Sequence, residues 1–247
     1  MTVSGEGPLA PHRVAAAAAP AVDRLRLAIA GRARERLAPV LTQWDVGPRA
    51  LQTVAMLRNT VPDRAVHRDH LGALFVYQPD GPAMVDEVIA QGLVHESPTG
   101  ALRLTEAGRR IVGSIHRVTG DIAGELWSGR EEHCATLAGL AGRVADAAAR
   151  SGGGALSVLA PLAELPGATP ALVLAERLTL LRFHRFDAHV AAWRAAGLTA
   201  GEVAGLPPGP VRDTVEEETN RRAGEPYEVL DPDERFAFCA GLGALPG

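Results

Sequence analysis

At 247 residues the chain is long enough to bury a substantial core. A composition of 47% hydrophobic against 22% charged residues excludes an intrinsically disordered protein. All 25 basic residues are arginine, set against 29 acids for a formal net charge of −4, which argues against a strong nonspecific nucleic-acid binder. Residues 1–128 are nearly balanced, with 14 Arg against 13 acids, whereas residues 129–247 are acidic, with 11 against 16. Aromatics make up only 4%, so close helix packing through small residues is expected. Cys134 and Cys239 lie far apart with no metal spacing, which implies a reducing compartment. The Ala-rich run at residues 13–22 is too short and too weakly apolar for an export signal or a membrane span. A cytoplasmic protein is expected.

Residues 1–12 contain Gly, Ser and Pro and read as a disordered N-terminus. An amphipathic helix follows over about 14–42, with Gly31 and Pro39 as points where it bends or splits. Pro48 suits the first position of a short helix ending near Leu57. A further helix carries Leu71, Leu74, Phe75 and Tyr77, capped by Asp63 or Asp69. From Met84 the pattern is a helix with Met84, Val85, Val88 and Ile89 on one face, stopped by Gly92. Leu93-Val94 opens a strand, Ser97-Pro98-Thr99-Gly100 is turn chemistry, and Ala101 to Leu104 returns as a second strand. Thr105 is a good N-cap for the next helix, which reaches about Trp127. Beyond it, helices are expected over about 131–150 and 171–196. Ser151 to Gly154 reads as a hinge and residues 155–170 as a Pro-broken mixture. Thr199 to Glu202 is a capping box. Pro210 opens a helix through Arg222, supported by Glu217–Arg221 and Glu218–Arg222 pairs, and Asp231 to Glu234 caps the last helix.

A helix feeding a hairpin that feeds another helix is the winged-helix pattern. Over about residues 30–127 the order and spacing resemble the MarR-type winged-helix regulators. Gly92-Leu93-Val94 followed by Leu104-Thr105-Glu106-Ala107-Gly108-Arg109 carries the resemblance most specifically. It implies a mainly α fold: a winged helix-turn-helix with a small two-stranded wing at 13–128, then a helical C-terminal domain at 129–247. It further implies a ligand-responsive, DNA-binding transcriptional regulator, a homodimer that takes a small apolar or aromatic ligand. Double-stranded DNA would then meet Arg49, Arg64, Arg68, Arg103, Arg109 and Arg110. Against this, the candidate recognition helix carries Asp80, Asp86 and Glu87 and no arginine, although an acid can accept from cytosine N4. The short wing has Arg103 with Glu96 close by, and the family's Asp-x-Arg wing motif is absent.

In the second half, Leu181-Arg182-Phe183-His184-Arg185-Phe186-Asp187-Ala188-His189 resembles a group of uncharacterised actinobacterial helical proteins with a winged-helix segment. Glu218-Thr219-Asn220-Arg221 before Pro226-Tyr227 fits the same group. His184 and Asp187 share a helix face, where the carboxylate can orient the imidazole. Ala188 and Ala191 leave space beside them. His184 and His189 are five apart, about 140° around a helix, so they do not form a metal pair. No metal and no cofactor is expected. The candidate catalytic set is His184, Asp187, His189 and Glu217. The candidate ligand set is Trp127, His184, Asp187, Trp193 and Asn220. No nucleophile elbow, Cys-His pair or phosphate-cradling loop appears. The alternative to a regulator is therefore a small-molecule binding protein or enzyme on a winged-helix scaffold that no longer binds DNA. A protein-interaction module is a third option.

Overall fold

The computed structural model describes residues 9–57, 66–78, 80–151, 154–162 and 165–247. Helix α1 (Pro11–Trp44) opens on a proline, whose missing N–H costs nothing in a first turn. It buries Val14, Ala18, Val22, Leu25 and Ile29 along one stripe and runs unbroken through Pro20 and Pro39. The split expected at Gly31 and Pro39 does not occur. Pro11 and His12, expected to lie outside the fold, are its half-buried first residues. Asp45 ends the helix in the left-handed conformation, its N–H turned back to the carbonyls of Leu41 and Thr42.

Helix α2 (Pro48–Leu57) is followed by strand β1 (Val66–His67) and a single helical turn, α3 (Arg68–Leu71). The longer helix expected through Tyr77 is instead this turn followed by successive turns over 72–77. Asp69 lies within α3, and Asp63 is outside the described residues. Helix α4 (Gly81–Ala90), strands β2 (Val94–Glu96) and β3 (Ala101–Leu104), and helix α5 (Glu106–Leu126) follow as the sequence pattern predicts. The expected two-stranded hairpin gains a third strand: β1 pairs antiparallel with β3, giving the order β1-β3-β2. Two residues are too few to register as a strand by alternation.

The junction between β3 and α5 shows why its sequence takes the form it does. Thr105 caps α5 by accepting from the Gly108 N–H at 3.1 Å, while its own hydroxyl donates to the Gly92 carbonyl at 2.7 Å. One bond satisfies a helix end and the other ties it to the chain leaving α4. A Cβ on Gly108 would stand 2.1 Å from the Leu93 carbonyl oxygen, so only glycine lets α5 approach β2 this closely.

Helices α6 (Glu131–Arg150), α7 (Gly154–Leu159), α8 (Pro170–Ala195), α9 (Ala200–Ala204) and α10 (Pro210–Gly224) complete the chain with a short 3-10 helix (Glu225–Val229) and α11 (Pro232–Ala244). Helix α8 is central, with α6, α10, α5, α7 and α1 packed around it. It is accordingly apolar over most of its circumference, burying Leu174, Leu178, Leu180 and Leu181. One core cluster runs from Val14 to Leu245 and includes Ile111 of α5 and Leu137 of α6, so packing does not break at the expected boundary of 128/129. Helix α1 joins the two halves by packing on α5, α8, α10 and α11. Among the described residues no helix is long and apolar enough to cross a membrane.

Candidate functional site

The first candidate surface is built on α4. The helix turns Met84, Val85 and Val88 inward and leaves Pro82, Ala83 and Asp86 exposed. Its acids are met by arginines of neighbouring elements. Arg49 of α2 lies 3.2 Å from Asp80 and 4.0 Å from Glu87. Arg68 of α3 forks onto Glu96 of β2, donating from Nε and Nη2 at 3.0 and 2.8 Å, and its Nη1 donates to Asp86 at 2.8 Å. The guanidinium bonds hold the Glu96 carboxyl below its ordinary pKa, and the two carboxylates push Arg68 upward. Among the described residues, two arginines thus face four carboxylates around α4. Each pair is partly exposed, so solvent screens it and it adds little stability. Their importance here is that they occupy the cations.

The remaining basic candidates among the described residues lie on β3 and the start of α5. Arg109 donates to the Leu104 carbonyl at 2.8 Å. Arg110 lies over the Trp44 ring, 4.7 Å from its centroid, and 3.5 Å from Glu106. Arg103 is exposed on β3, opposite His95 of β2. Arg64 lies outside the described residues.

The second candidate surface surrounds the C-terminal half of α8, where the sequence motif divides into separate tasks. Asp187 does not orient His184. Its Oδ1 accepts from the Ala155 N–H at 2.6 Å and its Oδ2 from the Leu156 N–H at 2.8 Å, clamping the start of α7. Gly154 makes this possible: its φ is +66°, and a Cβ there would lie 2.3 Å from the Asp187 carboxyl. Burial pushes the Asp187 carboxyl up, against the opposing pull of the two amides.

His184 bonds the backbone of Ala223 in α10, and its buried Nε2 has no hydrogen-bond partner among the described residues. Burial lowers its pKa, with the Ala223 bond and Glu225 opposing, which favours a neutral imidazole. His189 Nδ1 lies 3.1 Å from the Thr219 hydroxyl, which itself donates to the Val215 carbonyl at 2.7 Å. The hydroxyl proton is therefore spent, and His189 must be the donor from Nδ1. Burial lowers the pKa of His189 as well. Arg185 donates to Asn220 Oδ1 at 2.8 Å and to Glu216 at 3.1 Å, closing the α8–α10 seam.

Glu217 is exposed on α10, away from this seam, and the expected Glu217–Arg221 pair does not form. Glu218 instead takes both Arg221 and Arg222, which drives its pKa down to about 2, and Arg221 also reaches Glu225. The two tryptophans do not wall one pocket. Trp127 is fully buried in the main core and donates to the Pro246 carbonyl at 3.1 Å. Trp193 belongs to a separate cluster with Val190 and Val215, and donates to the Tyr77 hydroxyl at 2.8 Å. Tyr77 also stacks edge-on against Phe186, 5.4 Å between centroids, so the segment before α4 is docked on α8.

An open cleft of about 300 Å³ lies beside these groups, between α7, α8 and α10. Leu156, Ala188, Val190 and Ala191 form its apolar wall, and Arg194, Arg222 and Glu225 its polar rim. His184 and Asp187 of the expected ligand set line it, whereas Trp127, Trp193 and Asn220 do not. A second, smaller cavity of about 30 Å³ lies on the α1 side of His184, beside Tyr227, with room for about one water molecule. No group of three or more metal-ligating side chains occurs among the described residues.

Arg194 and Arg222 were missed by sequence reasoning. Arg194 had a readable signal: Asp187, Ala191 and Arg194 stand at i, i+4 and i+7 on one helix face. Arg222 had none, because its place depends on how α10 crosses α8. No family model matches the chain, and neither the curated proteins nor the solved structures contain a match.

Proposed function

We propose that the chain is a winged-helix protein, of the MarR-like kind its sequence resembles, that binds a small molecule in the α7–α8–α10 cleft and does not read DNA. The order α2, α3, α4 followed by the β2–β3 hairpin supports the winged-helix reading, with α4 as the recognition helix and the hairpin as the wing. The observation that carries the functional half is the use of Arg49 and Arg68. Affinity for DNA rests on neutralising phosphates, mostly with Arg and Lys. Here Arg49 and Arg68, beside the proposed recognition helix, are taken up by Asp80, Asp86, Glu87 and Glu96. A phosphate approaching this face meets carboxylates first.

The cleft supports the other half. Its volume is at the lower end of the range for small-molecule sites, and it combines an aliphatic wall with a few convergent polar groups. Both cysteines are free, consistent with a reducing, cytoplasmic setting. A thermal-shift screen of small metabolites, run on the wild type and on a cleft-filling Ala191→Phe variant, tests this reading. A ligand that raises the wild-type Tm and leaves the variant unmoved supports it. Ligands that stabilise both proteins equally point to another site and oppose it.

A second reading, a ligand-responsive DNA-binding regulator acting as a homodimer, draws on one observation. Arg103, Arg109 and Arg110 are all exposed around the hairpin and the start of α5. That reading requires a duplex to be held from the wing side rather than by the recognition helix.

A further inference from the structure

We infer that the α7–α8–α10 cleft takes a small aliphatic ligand ending in an anionic oxygen group, a carboxylate or a phosphate, seated on Arg194 and Arg222. The inference rests on the small-molecule reading above and names the ligand class.

The carboxylates around the cleft are already engaged, and its arginines are not fully so. Each oxygen of Asp187 already accepts from an α7 amide. Glu225 accepts from Arg221 Nη1. Arg222 gives its Nε to Glu218, at 2.6 Å, and among the described residues its two terminal nitrogens make no hydrogen bond. Arg194 has no carboxylate within ion-pair distance among the described residues; its guanidinium rests on the Trp193 ring, 5.3 Å from the centroid. Both arginines line the cleft, so charged N–H groups that lack an acceptor among the described residues face it. An anionic ligand group supplies those acceptors and gains charge-assisted hydrogen bonds. Arginine's fork suits carboxylate and phosphate alike.

The remaining wall sets the rest of the molecule. Leu156, Ala188, Val190 and Ala191 offer aliphatic surface, and among the described residues no Phe, Tyr or Trp lines the cleft, so an aliphatic chain fits it better than a stacked ring. Burying each methylene of such a chain contributes about 0.8 kcal/mol, so chain length and charge are separately readable.

Isothermal titration of the full chain with hexanoate, hexyl phosphate, hexanol and hexylammonium tests the assignment. The expected result is binding of one or both anions, with hexanol at least tenfold weaker and hexylammonium without measurable binding. Preference between hexanoate and hexyl phosphate identifies the anionic group. Arg194→Gln and Arg222→Gln should each weaken the anion about tenfold and leave hexanol unchanged; the exposed Arg194 can be changed without disturbing the fold. If hexanol and hexylammonium bind as well as the anions, and Ala191→Phe abolishes all of it, the ligand class is wrong while the cleft reading stands. If none of the four binds and the metabolite screen also finds no cleft ligand, both fail.

Discussion

The Asp187 clamp is the most exposed point of the C-terminal architecture. Helix α7 has only six residues, too few to be stable alone, and its first turn hangs on two amide-to-carboxylate bonds of 2.6 and 2.8 Å. Hydrogen bonds to a charged group contribute roughly 1.5–3 kcal/mol each in net terms. Solvent at the cleft edge can replace part of that loss. Asp187→Ala should therefore cost about 3 kcal/mol, a fall of roughly 6–12 °C in Tm for a chain of this size. Asp187→Asn keeps one acceptor oxygen and should lose about half as much. Gly154→Ala approaches the same contact from the other side, because its Cβ would stand 2.3 Å from the carboxyl. In the wild type it should cost more than the usual ~1–2 kcal/mol of a left-handed non-glycine residue. In the Asp187→Ala background the clash is gone and only the backbone cost remains. Urea unfolding of the four proteins in the cycle gives the coupling directly. Additive losses, or an Asp187→Ala loss below about 0.5 kcal/mol, refute the clamp.

Three further outcomes follow from the geometry. Gly108→Ala should destabilise by more than about 3 kcal/mol or prevent folding, since backbone lies 2.1 Å from the new Cβ; circular dichroism melts read this, and Gly113→Ala, with open space around it, is the matched control. Burial depresses the pKa of His184 and His189 relative to the unfolded chain, so their contribution is fully present above about pH 6.5 and lost as pH falls through the depressed folded values. Tm should therefore drop between pH 7 and pH 5, and a His184→Asn, His189→Asn variant should show a flatter profile over that window; an unchanged slope contradicts the assignment. Tyr77→Phe removes the acceptor of the Trp193 indole and should cost about 1–2 kcal/mol, with a change in tryptophan fluorescence in the native baseline.

The first half of the fold was legible because its signals are local. Thr105, Gly92 and the Ser97 to Gly100 turn act within a few residues, and each ends or starts an element where the sequence places it. Strand β1 was not, because two residues carry no period and its partner β3 lies more than thirty positions away. Continuous α1 was hidden by Pro39, since its interruption is offset by packing on α5 that sequence does not display. The candidate site divided in the same way. That His184 and Asp187 share a face followed from helical spacing. What each one touches did not, because Ala223 and the α7 amides arrive from distant segments. Arg68 showed the same limit: its basic charge suggested phosphate, and only the fold reveals Glu96 and Asp86 within reach.

The central claim is that, among the described residues, Arg49 and Arg68 beside α4 are held by its own carboxylates rather than offered to DNA. Fluorescence anisotropy with labelled promoter-proximal and random duplexes, titrated from 20 to 200 mM salt (roughly a tenfold span), measures this most directly, because phosphate contacts report themselves as a salt slope. The expected result is no saturable binding at the lowest salt, and a gain of binding only when Asp80→Asn, Asp86→Asn, Glu87→Gln and Glu96→Gln together release Arg49 and Arg68. Wild-type binding at about micromolar Kd or tighter, weakening steeply with salt and lost in Arg68→Gln, would contradict it.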